Sequence, residues 1–570
     1  MTNSVSSPRI ASHRWLFVAV FLVGAAVRFV DVWRPVYRPI WRECDLAAVA
    51  RNYYREGMNL LYPRIDWRGN GPGYTEMEFP LYPWTIALLY KAFGIHEAFG
   101  RLISFGLSLV TMAFFFRLAR SLLSPAGAIG AAVFFALSRL VVFISHAIQP
   151  EALMFCCYVI AVYAFLRWLE DDSQVHYYTA LVATALAILA KAPAAHIGIF
   201  LAIVLLQEKG LAALRRLRVW LFAIGSLLPA ALWYGHAYNF WRTYGNSLGV
   251  SNQDHWIGRD FFTNPSFLLG IITSEIRQVW TPPGLIIVAA AVLWSKSRKA
   301  VRIAIVWLLA VFVYYILAAR TTADIWAFYY HVVSAPAVAI LLGAGVEVLA
   351  ENWRPRLLAL MAGFGIIATV LWIVVDRRNP AEFPLRSWAI GLSVLFISAY
   401  ILLAALKRDA ASRTSGGPAS TPLPWLQRLA IPLVAACLLP TIVFEVRSTV
   451  KDLTYLEGSS LLACAKSFSP LVPANSLILA SGAACRGRTG RPVAYNSSYM
   501  FYWMDRKGFN ICEEEQSLDT VNAFAARGAA YFVAEKSVIG EKAGFEADLR
   551  KSFPLVSECR DALLFRLRDR

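Results

Sequence analysis

A succession of long apolar runs constrains the fold of this chain more than any other feature. Each run approaches the roughly 20 residues that a helix needs to cross the hydrocarbon core of a bilayer. The chain is 58% hydrophobic and 16% charged, whereas soluble domains carry about 25% charged residues. We therefore predict an α-helical polytopic membrane protein with about 13 transmembrane helices, at 15–33, 99–119, 125–144, 150–168, 176–190, 193–207, 219–238, 281–297, 301–318, 328–349, 357–375, 387–406 and 428–446.

The basic residues set the predicted orientation. The formal net charge is +18, and the lysines and arginines lie mostly in short runs between apolar segments. This distribution follows the positive-inside rule, so it places the N-terminus in the cytoplasm and the first loop, residues 34–98, outside. The same distribution argues against a nucleic-acid partner.

The sequence divides into two domains. Residues 1–446 carry the apolar runs and form the predicted membrane domain, with a Ser/Pro/Gly-rich linker at 409–425. Residues 447–570 alternate short β-like runs (476–480, 492–495, 530–534 and 563–567) with helix-like stretches (517–527 and 545–553). Such alternation predicts a small α/β domain, which the topology places outside the membrane.

Four of the eight cysteines fall in this C-terminal domain, namely Cys464, Cys485, Cys512 and Cys559. In an oxidising compartment four cysteines can form two disulfides, with three connectivities. We favour Cys485–Cys512. A zinc site is the alternative, although the spacings match no compact metal motif.

The polar stretch 41–84 in the first loop contains the main catalytic candidate, Asp45. Ionisable residues packed at a membrane are costly unless they have a function. Asp45 opens an amphipathic run that predicts a helix along the membrane surface. A carboxylate placed there could act as a base toward an acceptor hydroxyl. The alternative is that Asp45 only caps the start of that helix.

Glu76 and Glu78 lie two residues apart, so an extended backbone would put both on one face. We predict that they position donor or acceptor groups together with Glu43, and that Glu78 is also a candidate metal ligand. The alternative is that they only pair with Arg64 or Arg68.

Further polar residues lie at the predicted outer ends of later helices. Glu151 follows Pro150 at a helix start, where it either complements the helix dipole or lies beside Asp45 as a positioning residue. Lys191 breaks an apolar stretch between two crossings and is either a snorkelling anchor or a phosphate contact; we favour the phosphate contact. The other candidate phosphate ligands are Arg51, Arg320 and His331.

The order of these motifs resembles the GT-C membrane glycosyltransferases, in particular the group of protein O-mannosyltransferases and lipid A aminoarabinose transferases. The resemblance covers about 15–350 well and the later crossings loosely. Its motifs are Glu43-Cys44-Asp45, then Glu78-x-Pro80-Leu81-x-x-Trp84, Phe93-Gly94 before Arg101-Leu102, Lys191-x-Pro193, Pro229-Ala230-x-x-Trp233-Tyr234, and Tyr329-Tyr330-His331.

The resemblance implies an inverting glycosyltransferase that uses a polyprenyl-phosphate sugar donor in a bacterial inner membrane. Asp45 matches the catalytic acidic residue of the family, Glu151 its second carboxylate, and Glu78 the Glu of its E-x-P segment. The MIR sugar-binding insertion of eukaryotic mannosyltransferases is absent, which favours an envelope glycolipid or polysaccharide acceptor over a protein. We expect no required cofactor, with a divalent metal as an alternative. The competing functions are a transporter or flippase of lipid-linked sugars and a protein O-mannosyltransferase.

Overall fold

The computed structural model describes residues 9–37, 40–250, 256–280, 282–351, 459–486 and 496–568. These residues form a helical membrane domain and a C-terminal domain built on a β-sheet. The predicted crossings at 357–375, 387–406 and 428–446, the linker at 409–425 and the run at 492–495 lie outside the described residues.

The described part of the membrane domain is built mainly from α-helices, because its apolar runs can bury their backbone polar groups in a bilayer only as helices. The helices are α1 (Arg9–Phe29), α2 (Trp41–Glu56), α3 (Leu81–Phe93), α4 (Ala98–Leu122), α5 (Pro125–Leu137), α6 (Arg139–Ile144), α7 (Glu151–Asp171), α8 (Gln174–Ala190), α9 (Ile197–Lys209), α10 (Leu217–Tyr244), α11 (Asp260–Thr263), α12 (Ser266–Glu275), α13 (Pro282–Trp294), α14 (Arg298–Leu317), α15 (Ala319–Thr322) and α16 (Ala335–Glu351). The 3₁₀ segments Ala192–His196, Leu211–Arg215 and Ile325–Ser334 and a π-helical turn, Ile276–Trp280, lie between them. A long non-helical loop separates α2 from α3.

Six helices of the described part are long and apolar enough to cross a membrane: Ala98–Leu122, Glu151–Asp171, Ala192–Lys209, Leu217–Tyr244, Arg298–Leu317 and Trp326–Val348. The predicted class, a polytopic helical membrane protein, is confirmed. Several predicted crossings differ in detail. The run 125–144 is divided into α5 and α6 because Ser138 leaves the helical conformation, and the run 328–349 begins as a 3₁₀ segment.

The core of the membrane domain lies where α7 packs against α4 and α8, and where α16 packs against α5 and α13. Small residues allow the closest approach. A Cβ on Gly343 would lie 2.4 Å from the carbonyl oxygen of Gly127 on α5. Phe115 and Phe135 stack with their ring centroids 4.0 Å apart.

The described part of the C-terminal domain contains a five-stranded mixed sheet. The strands are β1 (Leu477–Ser481), β2 (Lys507–Ile511), β3 (Ala529–Glu535), β4 (Leu555–Glu558) and β5 (Ala562–Arg566), and the helices are α17 (Ser459–Phe468), α18 (Ser498–Met504), α19 (Leu518–Ala526), α20 (Lys536–Ile539) and α21 (Phe545–Ser552). The strand order in the sheet is β2-β1-β3-β5-β4. Strands β1, β3 and β5 confirm three predicted runs, whereas β2 and β4 were not predicted. Short 3₁₀ segments occupy Ser469–Leu471 and Glu513–Glu515.

Two disulfides link the C-terminal domain, Cys464–Cys559 and Cys485–Cys512. The favoured pairing is therefore confirmed. The first disulfide joins α17 to the turn between β4 and β5, and the second joins the segment after β1 to the end of β2.

Candidate active site

Helix α2 places Asp45 at the centre of the candidate site. The helix begins at Trp41, with Ile40 as its N-cap, so Asp45 lies one full turn inside it. The alternative reading of Asp45 as a helix cap is therefore wrong, because its carboxylate is not at the helix start. Asp45 is nonetheless 1% exposed, and burying a carboxylate without an ion pair is costly.

The two carboxylate oxygens of Asp45 have different surroundings. Oδ1 accepts a hydrogen bond from the indole Nε1 of Trp67 at 2.8 Å. Oδ2 is buried and has no hydrogen-bond partner among the described residues. Burial raises the pKa of Asp45 to about 7, against the lowering effects of the Trp67 hydrogen bond and of Arg42. Asp45 is thus a buried carboxyl group with a pKa near neutral pH and with one oxygen that lacks a hydrogen-bond partner among the described residues.

A chain of alternating charges lies next to Asp45. Arg42, one turn before Asp45 on α2, contacts both carboxylate oxygens of Glu78. The Lys191 Nζ lies 3.6 Å from Glu78 Oε1 and contacts Glu151. All four charged groups are buried, and two cations balance two anions. Burial opposes ionisation of Glu78, but Arg42 and Lys191 hold its pKa below the usual range.

Lys191 reaches this cluster because the chain leaves the helical conformation there. Helix α8 ends at Ala190, and Lys191 is extended before the 3₁₀ turn Ala192–His196. Its ammonium group lies 4.8 Å from the ring centroid of Tyr330 and 5.5 Å from that of Tyr329. These residues border a small cavity. The volume of this cavity is about 10 Å³, which is room for about one water molecule.

Glu151 lies at the first position of α7, which agrees with its predicted place at a helix start; its predicted position beside Asp45 stays a prediction. Its Oε1 contacts Lys191, whereas its Oε2 is buried without a hydrogen-bond partner in the described part of the chain. The N-terminal end of α7 and the ammonium group of Lys191 both present positive charge to this carboxylate. The structure thus brings Glu151, Lys191 and Glu78 together.

Glu43 and Glu76 hold chain segments together. The carboxylate of Glu43 accepts a hydrogen bond from the backbone N–H of Ile148 at 3.2 Å and lies 3.7 Å from Arg101. The carboxylate of Glu76 accepts from the hydroxyl of Ser247. The predicted alternative that Glu76 and Glu78 pair with Arg64 or Arg68 is wrong for Glu78, which contacts Arg42. Both of those arginines instead contact Glu56.

Three candidate phosphate ligands have protein partners away from this cluster. Arg51 lies 2.6 Å from Asp66 and donates to the carbonyl oxygen of Tyr502 at 2.9 Å. Arg320 lies 2.7 Å from Asp260. His331 is fully buried; its Nδ1 lies 2.7 Å from Glu275 and its Nε2 lies 2.8 Å from the Thr322 carbonyl oxygen. A phosphate-binding role for these three residues stays a prediction, and the structure does not place them beside Asp45.

The residues also bear on metal binding. Within the described ranges, the one group of three His, Cys or acidic side chains close enough to share a cation is Cys485, Cys512 and Glu514. The two cysteines of this group form a disulfide. Glu78 does not suit a metal well, because Arg42 and Lys191 already face its carboxylate. A metal requirement stays an untested alternative.

Two site residues were missed by the sequence analysis. Arg42 was one of several arginines in the first loop, and its position three residues before Asp45 was the available signal, since residues three apart share a helix face. Trp67 gave no local signal, because it meets Asp45 only through the fold of the loop. Together the residues present a buried carboxyl group, Asp45, next to Arg42, and Glu78 connects Arg42 to a second buried cation, Lys191. A carboxyl group near fixed cations is an arrangement that can accept a proton or face an anion.

The central part of the chain matches a known family. Residues 77–234 match the family described as dolichyl-phosphate-mannose-protein mannosyltransferase. This segment contains Glu78, Glu151 and Lys191, and it begins after Asp45. A comparison with curated protein sequences found no significant match.

The fold matches solved structures over almost the whole chain. Apo ArnT from Cupriavidus metallidurans has a TM-score of 0.61 at 16% identity, with 98% of each chain covered. The same protein bound to undecaprenyl phosphate has a TM-score of 0.58 at 16% identity, with 97% of each chain covered. The oligosaccharyltransferase of Archaeoglobus fulgidus is more distant, with a TM-score of 0.49 at 12% identity over 95% of this chain and 72% of its own.

Fold and site together define this chain as an integral membrane protein with the GT-C fold of membrane glycosyltransferases. Within that class its similarity is to the group of protein mannosyltransferases and ArnT-like enzymes, as the sequence motifs indicated.

Proposed function

We propose that this protein is an inverting glycosyltransferase. It transfers a sugar from a polyprenyl-phosphate donor to a hydroxyl group of an envelope glycolipid or polysaccharide, on the outer face of a bacterial inner membrane. The observation that carries the proposal is the one-sided hydrogen bonding of Asp45, whose Oδ2 has no partner among the described residues. A base needs a free oxygen and a pKa near the working pH, and Asp45 has both.

The charge cluster provides the donor side of the proposed site. The undecaprenyl phosphate bound to ArnT supports a polyprenyl-phosphate donor here. Lys191 and Arg42 would neutralise the leaving phosphate, since fixed cations in a water-poor site stabilise charge that develops in the transition state. Each cation is now balanced by Glu151 or Glu78, so the phosphate would exchange with a carboxylate.

The proposed reaction is a single displacement. Asp45 takes the proton of the acceptor hydroxyl, and that oxygen forms a bond to the anomeric carbon. The bond from this carbon to the phosphate oxygen breaks on the opposite face, and its electron pair leaves with the phosphate. One carboxylate is sufficient for inversion, whereas retention would need a second, nucleophilic carboxylate at the anomeric carbon.

Native mass spectrometry of the purified full-length protein, followed by an acceptor screen, tests this proposal. We expect polyprenyl-phosphate sugars to copurify with the protein. We expect the Asp45→Asn variant to bind the same donors but to lose their conversion to undecaprenyl phosphate. Wild-type conversion by this variant would contradict the assignment of Asp45.

Two other outcomes would support a different function for this protein. Movement of an intact lipid-linked sugar across vesicles, without its conversion, would favour a transporter. Transfer to peptides in preference to glycolipids or polysaccharides would favour a protein O-mannosyltransferase, which is the family matched by residues 77–234.

A further inference from the structure

Trp67, in the first loop, contacts both the candidate base Asp45 and the C-terminal domain. We infer that Trp67 is a positioning residue for Asp45, and that the edge of the C-terminal sheet holds Trp67 in place. This inference rests on the proposed function, in which Asp45 is the base. Its first support is the hydrogen bond from Trp67 Nε1 to Asp45 Oδ1, which fixes one oxygen and leaves Oδ2 for the acceptor.

The second support is the backbone pairing on either side of Trp67. The backbone N–H of Gly69 donates to the Gly508 carbonyl oxygen at 2.7 Å, and the Gly508 N–H donates to the Asp66 carbonyl oxygen at 3.2 Å. Gly508 belongs to β2, which is an edge strand of the C-terminal sheet. The first loop therefore pairs with a sheet edge that is separated from it by more than 400 residues of sequence.

Close approach at this pairing requires glycine. Gly69 has a φ of +56°, and a Cβ on Gly69 would lie 2.3 Å from the ring of Phe509. Both conditions disfavour any other residue, since L residues rarely adopt positive φ. A substitution at Gly69 would thus push the loop, and Trp67 with it, away from β2 while the side chains of Asp45 and Trp67 are both still present.

Trp67 is also packed from both sides. Its ring contacts the hydrophobic cluster around α2 and α3 and the cluster around α17, α18 and β1. Charged contacts tie the same surfaces together. Arg51 on α2 binds Asp66 and the Tyr502 carbonyl oxygen, and Lys507 on β2 contacts Glu56. The contacts that hold the C-terminal domain against the first loop therefore also hold the indole of Trp67 in place.

The consequence for Asp45 concerns its protonation. The charged groups facing Asp45 are Arg42, from its own helix, and Asp66, from the loop. The Trp67 N–H stabilises the ionised carboxylate, so its removal would leave Asp45 protonated at higher pH. A shift of the titration midpoint from about 7 by about one pH unit would lower the ionised fraction at pH 7 about fivefold.

Infrared titration of the full-length protein in nanodiscs tests this inference without a substrate. The carboxylic acid band that is absent from Asp45→Asn reports the protonation of Asp45. We expect Trp67→Phe, which keeps the aromatic packing, to move the midpoint up by about one pH unit. Gly69→Ala should move it in the same direction. The matched control is Trp503→Phe, because Trp503 Nε1 donates to the Val36 carbonyl oxygen at the same interface.

An unchanged midpoint in Trp67→Phe would overturn the inference, and so would an equal shift in Trp503→Phe. The transfer assay separates this failure from failure of the proposed function. If Asp45→Asn is inactive while Trp67→Phe keeps the wild-type midpoint, only the proposed positioning role of Trp67 is contradicted. If Asp45→Asn transfers sugar at the wild-type rate, the proposed function itself is wrong about the base.

Discussion

The guanidinium group of Arg42 contacts both carboxylate oxygens of Glu78, although the two residues lie 36 positions apart in the sequence. Both side chains are buried, so the attraction between their charges offsets part of the cost of burying each of them. The contact joins α2 to the extended segment before α3 and brings Glu78 within reach of Lys191.

Removal of Arg42 should destabilise the protein strongly. Breaking a buried ion pair by deleting one partner costs about 3–5 kcal/mol, because the other charge stays buried. We expect Arg42→Met to lower the thermal unfolding midpoint of the purified protein. The matched control is Arg55→Met, since the Arg55–Asp505 pair is nearly half exposed and such pairs contribute at most about 1 kcal/mol. Equal midpoints for the two variants would contradict the structural role of Arg42.

Replacement of Asp45 should stabilise the protein in a pH-dependent way. The folded-state pKa of Asp45 is raised to about 7 from the ordinary value of 3.8, so the folded protein binds this proton more tightly than the unfolded chain. The stability contributed by Asp45 therefore falls as the pH rises from about 4 to about 7. We expect Asp45→Asn to have a higher unfolding midpoint than wild type at pH 8, with little difference at pH 4.

Asp505 provides a control, because its pKa is shifted in the direction opposite to that of Asp45. Arg55 and Arg51 hold its pKa below the ordinary value, against the effect of burial. Its stabilising contribution is present above the ordinary pKa and lost as the pH falls below it. We expect Asp505→Asn to be less stable than wild type at pH 8. A gain in stability at pH 8 for both variants would show that burial of Asp45 is not the cause.

Lys191 should determine the affinity for the lipid phosphate. It is the buried ammonium group of the charge cluster, and charge-assisted contacts to phosphate are among the stronger hydrogen bonds in proteins. We expect Lys191→Met to bind undecaprenyl phosphate at least about tenfold more weakly, a loss of about 1.4 kcal/mol. Lys299→Met is the control, because Lys299 is half exposed and pairs with Glu170. Binding that is equally weak in both variants would assign the effect to general destabilisation.

The two disulfides should contribute unequally to the C-terminal domain. They close chain segments of 95 and 27 residues, and loop-closure entropy grows slowly with loop length. We expect Cys464→Ser/Cys559→Ser to be more sensitive to protease than Cys485→Ser/Cys512→Ser, with a loss of about 4–5 against about 3–4 kcal/mol. The reverse order would contradict the entropic explanation.

The sequence identified buried charged residues better than it predicted their contacts. Asp45, Glu151 and Lys191 could be recognised because each interrupts or borders an apolar run, where an ionisable group is unusual. The ion pairs could not be predicted, since they depend on which of several arginines and carboxylates in the first loop meet in space. Arg64 and Arg68, for example, contact Glu56, whereas the predicted alternative paired them with Glu76 or Glu78.

The predictions for the C-terminal domain had a similar limit. Strands β1, β3 and β5 are rich in apolar residues and were predicted. Strand β2, Lys507–Ile511, contains Gly508 and Asn510, which are uncommon in strands, and it was missed. Gly508 is nonetheless required there, because a Cβ would lie 1.7 Å from the carbonyl oxygen of Ile478 on β1.

The pairing of Gly69 with Gly508 has a consequence for biosynthesis. The loop that carries Trp67 emerges from the ribosome early, but its partner strand is translated more than 400 residues later. Membrane insertion of the early helices can therefore precede the pairing of this loop with β2 by most of the synthesis time, which is tens of seconds at about 5–20 residues per second. Chains terminated before β2 would enter the bilayer without the strand that pairs with this loop, so the indole of Trp67 would be fully held against Asp45 only in chains that include β2.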